Sequence, residues 1–498
     1  MKNPIDAVIG FFNPQAGVKR AQARMAMSII DQKRDYDIAR RGRSNNWGNV
    51  STSAADELSK GFQKAAAAAQ ELCRNNPHAQ HAKLSWAASV VAKGITCEIS
   101  VTSGSNKVAE RVQDEFDQWA TSTACDFEGH NTLYGLQWLW AAIMVESGGV
   151  FIRKHVNNAL KFPLQLQTIE HQYLDTSKQE AGKIRDGVQY NTLGQIEGYW
   201  ILTNRNDLDN QTYKKPESKF YKINEEIIYM FRKERAGQHV GITWFAQSGT
   251  LLDKLDVLMD AKVTQEQVAA CLTAFITNPT GGGLGVDEKA KGTNSNPLVF
   301  EPGIVQELAS GQEITFSKPP NANSSGKFSQ EIRQDLAVGV GMPYAKFTGD
   351  YSQFNFASGR MAKLDFNELL DHVQENVFIP KLNNIFSWFS EIAMLKGHKT
   401  EKVKCTWIIP PRAVTDPGTE LDMLKAEVRA GFKAPSTAVK QWTGNKLTDV
   451  MKQWDIDKGL FGDNPFDVDP SKFSLAGNQI DKDDTAAGVT EKDSNQQE

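Results

Sequence analysis

Residues 338–360 read VGVGMPYAKFTGDYSQFNFASGR. A helix-like run carrying Leu336, Val338 and Val340 halts at Gly341-Met342-Pro343, because proline lacks an N–H and its ring collides with the turn before it. Some fifteen residues rich in Tyr, Phe, Gly, Asp and Gln follow, and a second helical pattern opens at Ser358, a residue type that caps helices. Two readings are open. One is a surface turn between two core helices. The other is a loop held between rigid helices so that its tip touches something that passes.

Outward from this stretch the chain is helical on both sides. The helix before the break begins near Phe328. The helix after it carries Met361, Leu364, Leu370, Val373 and Val377, meets Pro380, which reads as a kink, and continues through Leu382, Ile385, Phe389 and Ile392. Upstream, 250–278 places Leu251, Leu255, Leu258, Val268, Leu272 and Phe275 at helical spacing. That predicts a helix of 29 residues, roughly 43 Å long, a length suited to spanning or to joining subunits. The polar, Gly-rich 278–297 ends it, and 297–320 reads as short strands and turns.

The first sixty residues are polar, with ARRGR at 39–43, either a solvated basic arm or a phosphate contact. Helical pattern is predicted from Ala54 through 76, then over 78–94 with Gly94 as a left-handed cap, over 106–120, where Val108, Val112, Phe116 and Trp119 share a face, and over LYGLQWLWAAIMVES (133–147). The period then changes. Residues 148–233 hold alternating runs separated by Gly and Asn turns, the pattern of antiparallel strands. Further on come a strand at VKCTWII (403–409), a Pro-Pro turn, helices over 417–452, and from 476 a tail with almost no large apolar residue, which predicts disorder.

At 498 residues two or more lobes are expected. A net charge of -4 argues against a protein whose whole surface grips nucleic acid, while leaving room for a local site or a lumen. The five cysteines are scattered and odd in number, which predicts free thiols in a reducing compartment. The longest apolar stretch, 133–145, is too short for a membrane span, and the N-terminal apolar run is too short for a signal peptide. A soluble cytosolic protein is expected.

Catalytic signals are weak throughout. Gly326-Lys327 is followed by Phe328, with no phosphate-loop glycine at the required distance, and GGGLG at 281–285 follows a helix rather than a strand. No HExxH occurs. His78 and His81 stand at i, i+3 without a nearby Cys or carboxylate to complete a metal site. Asp253, Asp256 and Asp260 would lie along one side of the long helix, as catalytic carboxylates do and as a solvated acidic face does.

Several blocks, in order, are similar to the lambda-type family of tailed-phage portal proteins. They are ARRGRSNNW (39–47), ELCRNNPHAQHA (71–82) with VVAKGI (90–95), IRDGVQYNTLGQIEGYWI (184–201), MFRKERAGQHVGITWFA (230–246), FEPGIVQELASGQEITF (300–316), GVGMPYAKFTGDYSQFNFASGRMA (339–362) and TDPGTELDMLKAEVRAGFKAPSTAV (415–439). One block departs: Asn355-Phe-Ala-Ser-Gly-Arg360 stands where the family has Asn-Tyr-Ser-Ser-Ala-Arg, so two hydroxyls are lost while Ser358 and Arg360 are kept.

The resemblance implies an α+β, portal-type fold, mainly helical, with a β-rich wing module, long stem helices, a small clip and a C-terminal helical crown. On this sequence it implies an arm at 1–53, a wing at 54–249, a first stem helix at 250–278, a clip at 279–327 and a second stem helix at 328–343. A tunnel loop at 344–358, a kinked helix returning to the wing at 359–410, a crown at 411–475 and a disordered tail at 476–498 complete the order. It implies a homo-oligomeric ring of about twelve subunits at one capsid vertex of the virion, assembled in the host cytoplasm. Double-stranded DNA, bound without sequence preference, would pass through it. The further partners implied are a terminase motor, major capsid and scaffold proteins, and neck or head-completion proteins, with no cofactor, metal, membrane or enzymatic activity.

Tyr344, Lys346, Asp350, Tyr351, Gln353 and Phe354 are then the loop residues for the constriction. Asp253, Asp256, Asp260 and Glu266 are the stem candidates for the lumen, where a wall that is not uniformly basic lets DNA slide. Asp287, Glu288, Lys289 and Lys291 are the clip candidates for partner docking. Two other readings stand beside this one. A terminase-like ATPase or nuclease of the same packaging pathway would need a nucleotide site and a metal cluster. A helical scaffold that binds proteins only would form small oligomers with no central hole.

Overall fold

The structure, a computed structural model, describes residues 52–59, 61–101, 106–203, 217–270, 274–277, 313–316, 323–352, 355–397, 403–413 and 416–461. The chain divides into two units, Met1–Lys60 and Gly61–Glu498. The described part of the first is α1 (Ala54–Ser59), where Ser53 Oγ accepts the Asp56 N–H at 3.1 Å.

The second unit opens with α2 (Phe62–Asn75) and α3 (Pro77–Val91). Asn76 separates them: its side-chain Oδ1 accepts the Ala79 N–H at 2.9 Å, and Pro77 fills the first helical position, where a missing N–H costs nothing. α3 ends at Val91 rather than at Gly94, because Ala92 itself takes a positive φ of 47°. β1 (Thr96–Val101) follows, then α4 (Asn106–Thr121) and α5 (Leu133–Ser147). α5 is apolar on nearly all sides and is buried accordingly, with Trp140, Ala141 and Met144 in the core. Gly148 ends it in the left-handed region, where a Cβ would stand 2.3 Å from the Ile242 backbone.

The expected β module is present as two antiparallel sheets. β2 (Gly149–Val156) lies between β3 (Leu164–Glu170) and β8 (Ile227–Phe231). The other sheet runs β4 (Ile184–Arg185), β5 (Val188–Tyr190), β6 (Ile196–Leu202), β7 (Ser218–Lys222). Asp186 and Gly187, with φ of 50° and 77°, make the two-residue turn between β4 and β5, the pairing that a tight hairpin asks for.

α6 (Gly249–Ala270) has 22 residues, shorter than the sequence pattern indicated. The chain switches to β9 (Ala274–Thr277), which pairs antiparallel with β10 (Glu313–Phe316). Ala-Phe-Ile-Thr is rich in strand formers, and EITF, from further along the chain, pairs with it. α7 (Asn323–Val340) then returns beside α6.

α8 (Tyr344–Thr348), α9 (Phe356–Val373), a π turn (Gln374–Phe378) and α10 (Ile379–Leu395) follow. Pro380 therefore sits in the first turn after a π turn, which absorbs its missing N–H. β11 (Val403–Ile408) pairs antiparallel with β1, Thr96 opposite Ile408 and Val101 opposite Val403. This pairing brings Cys97 and Cys405 together as a disulfide across 308 residues, so the expectation that all cysteines are free thiols is wrong for these two. Cys73 and Cys125 are free and buried. α11 (Pro417–Arg429), α12 (Pro435–Thr443) and α13 (Leu447–Phe461) complete the described chain.

Two aromatic clusters tie together the elements of the second unit. Trp86 meets Trp244 edge-on at 4.7 Å and Phe366 at 4.9 Å. Phe116, Trp119, Phe162 and Phe389 form a second aromatic cluster. No helix among the described residues is long and apolar enough to cross a membrane.

Candidate functional site

The stretch that breaks after Val340 is built as a sequence of caps. Gly341, with φ of 71°, closes α7: its N–H bonds to Val338 O at 3.0 Å and the Met342 N–H reaches Ala337 O at 2.8 Å. This is the double-bonded left-handed helix end that glycine permits. Trp86 Nε1 donates to Val340 O at 3.1 Å, satisfying a helix-end carbonyl that the helix itself leaves unpaired. Pro343 then opens α8, and Gly349 closes it with φ of 75°.

α9 opens on Asn355, not on Ser358. The Asn355 side chain accepts the Ser358 N–H at 2.8 Å, and Ser358 Oγ accepts the Asn355 N–H at 3.2 Å. Ser358 is the third helical residue of a reciprocal capping box. The retained serine thus holds the helix start, and the departure at Phe356 and Ala357 leaves this cap intact.

The structure separates the loop candidates. Ala345 and Phe347 are buried, Phe347 stacked on His78 at 5.6 Å. Tyr344 packs against the core. Lys346 is half-buried: its Nζ donates to Ser89 Oγ at 2.6 Å and lies 4.7 Å over the Phe366 ring. Burial, and then the like charge of Lys363, hold its ammonium below the usual lysine range. Asp350 and Tyr351 are exposed at the tip. Asp350 accepts the Ser352 N–H at 3.0 Å, and bonds from Ser352 keep its carboxyl below the ordinary value. Gln353 and Phe354 lie outside the described residues, as do Asp287, Glu288, Lys289 and Lys291.

α6 and α7 form an antiparallel pair. Arg333 Nη2 on α7 reaches Met259 Sδ on α6 at 3.7 Å, while a Cβ at Gly339 would stand 2.3 Å from Ser248 Oγ, just before α6 begins. Asp253, Asp260 and Glu266 are exposed on α6. Asp256 is not free to face a lumen in the same way, because Asn76 Nδ2 donates to its Oδ2 at 2.7 Å. Large apolar side chains also stand in solvent on this pair: Val257 (64% exposed) and Val263 (54%) on α6, Phe328 (55%) and Val338 (79%) on α7.

Sequence reasoning overlooked Ser89, Trp86 and Asn76, whose partners lie far away along the chain and leave no local pattern. His81 Nε2 is 2.9 Å from Lys346 O, so the histidine pair supports α8. Among the described residues no group of three or more His, Cys, Asp or Glu could hold a metal ion.

Residues 40–374 match the family model "Phage portal protein, lambda family". That is more than half of the chain, and the chain belongs to this family. A probable portal protein of Halomonas phage phiHAP-1 is 23% identical over 364 residues, covering 69% of this chain and 66% of the relative, so the chain spans just under two thirds of that protein's length. Among solved structures, the neck of an empty gene transfer agent particle aligns at 13% identity with a TM-score of 0.46, over 77% of this chain and 92% of that one. An HK97-family portal protein from Corynebacterium diphtheriae aligns at 14% identity and 0.33, over 72% and 97%. Likenesses this distant say nothing about function.

Proposed function

We propose that the chain is the subunit of a portal ring, of about twelve copies, that occupies one capsid vertex and conducts double-stranded DNA in packaging and ejection. The observation that carries this reading is the α6–α7 pair. Two long helices run antiparallel, are joined through the β9–β10 ribbon, and leave Val257, Val263, Phe328 and Val338 in solvent. Large apolar side chains left exposed on a helix pair call for cover, and identical neighbours around a ring supply it.

In this reading α6 and α7 are the stem and the segment between them is the clip, which meets the terminase motor and later the neck proteins. α1–α5 and β2–β8 are the wing, with α9 and α10 leading back into it. α11–α13 belong to the crown. The stretch 344–358 is the tunnel loop, but its contact with DNA falls to the tip around Asp350 and Tyr351, with Lys346 holding the loop's base to α3. Asp253, Asp260 and Glu266 are the stem carboxylates proposed for the lumen. The chain itself carries out no chemical step; a separate ATPase supplies the energy.

Negative-stain electron microscopy of the purified protein, with native mass as a check, tests the reading. Rings with a central hole wide enough for a duplex are expected. Small compact oligomers that coat and scaffold proteins fail to convert into rings would overturn it.

A further inference from the structure

Between α3, α8, α9 and the segment 410–413 lies a groove of about 730 Å³. Its charged lining is one-sided: Lys346, Arg360, Lys363 and Arg412 face it, and no carboxylate among the described residues does. The walls also carry apolar surface. Phe366 and Leu370 are buried beneath it, while Phe356 stands 59% exposed at its edge. Part of the charge is met from outside the lining or by the backbone, since Arg412 pairs with Asp371 and Lys363 donates to Ala413 O. The cations nonetheless act on each other, because Lys363 is one of the two causes that weaken protonation of Lys346. A groove with this character fits a ligand whose carboxylates flank an apolar anchor. A polyphosphate backbone would leave the aromatic surface unused.

The chain carries such a sequence beyond its last described helix. Gly462–Pro470 reads GDNPFDVDP, with three aspartates and no basic residue around Phe466 and Val468. It starts directly after α13, which packs on α12. Gln441 and Trp442 of α12 line a trough that shares Arg360, Lys363 and Arg412 with the groove. Nine extended residues reach about 30 Å.

We propose that the groove is a docking site for an acidic peptide with an aromatic anchor, and that its occupant is Gly462–Pro470 of the same chain. The aspartates answer Arg360, Lys363 and Arg412, and Phe466 seats against Phe356 and Phe366. This inference does not depend on the portal reading.

The test places a photoreactive side chain at the anchor, Phe466→p-benzoylphenylalanine, in the full chain, and maps the adducts by peptide mass spectrometry after irradiation. Adducts within one chain on α9 or 410–413 are expected. Arg360→Glu with Lys363→Glu should reduce their yield about tenfold, the equivalent of a weak ion pair lost at each site, and Asp467→Lys with Asp469→Lys should restore it. Should the charge-reversed chain fail to fold, a salt titration of the otherwise unaltered chain gives the second readout, with yield falling as salt screens the contacts. Adducts elsewhere, adducts between two chains, or a yield indifferent to both charge reversal and salt would overturn the proposal. So would a short duplex DNA that occupies the groove in place of the segment.

Discussion

Gln374 donates from Nε2 to Val90 O at 2.6 Å, tying the first residue of the π turn to the last turn of α3 across 284 residues of sequence. The bond is buried, and Val90 O is a helix-end carbonyl with no other helical partner to turn to. Gln374→Leu fills the space but leaves that carbonyl without its donor. A loss of about 1–3 kcal/mol is expected, read as a lower urea midpoint at unchanged slope.

Trp86→Phe removes the indole N–H that satisfies Val340 O while keeping a ring between Trp244 and Phe366. The expected loss is about 1–2 kcal/mol. Hydrogen exchange should show the amides of Gly341 and Met342 opening more often, because the carbonyl at the end of α7 is no longer held.

Two glycines separate conformational strain from collision. At Gly341 a Cβ has room, with Trp86 at 3.7 Å, so Gly341→Ala meets only the cost of a positive φ, about 1–2 kcal/mol. At Gly148 the same substitution drives a Cβ into the Ile242 backbone at 2.3 Å. Gly341→Ala should give a folded protein with a lower melting temperature, and Gly148→Ala should fail to accumulate in soluble form.

His171 makes stability depend on pH. Its Nδ1 lies 2.8 Å from the Tyr229 hydroxyl, and burial lowers its pKa from 6.5 to about 4. Between those values the unfolded chain binds more protons than the folded one, so stability rises with pH across the window. The contribution is complete above the unfolded value and is lost as pH falls toward the folded one; its size is on the order of 3 kcal/mol. Urea midpoints measured from neutral to mildly acid pH should fall, and His171→Asn should flatten that dependence.

The Cys97–Cys405 bond closes a loop of 308 residues. Chain entropy sets its contribution at roughly 5 kcal/mol at most. Addition of a reductant should lower the melting temperature of the wild-type chain. It should leave the Cys97→Ala, Cys405→Ala double variant unmoved, and non-reducing peptide mapping should recover the two cysteines in one fragment.

The elements that could be read directly were those whose signal is local. α4 and α5 carry unbroken helical spacing, and the β2–β8 region shows alternation with turn residues at each end. The break at Gly341-Pro343 was legible because two residues with special backbones sit side by side there. What failed to show was set by distant partners. The Thr96–Val101 strand is short, and its strand partner among the described residues comes from Val403–Ile408. The disulfide follows from that pairing, not from any cysteine spacing. Ala274–Thr277 continues an apparently helical pattern and becomes a strand because 313–316 pairs with it. Lys346 looked like a free loop cation, yet Ser89 and Phe366 draw it into the fold. The assignment of Ser358 as the cap missed by three positions, since Asn355 and Ser358 cap each other and either could have led.

The β1–β11 pairing sets a schedule for synthesis. Val101 is opposite Val403, so 302 further positions must be translated before the strand meets its partner. At ribosomal speeds that is roughly 15–60 s. Through that interval the nascent chain carries β1 with no strand beside it, an edge open to any other extended segment in the cell. A ribosome stalled before codon 403 therefore leaves a product whose β1 edge is adhesive. Such fragments are natural clients for chaperones that shield exposed strands.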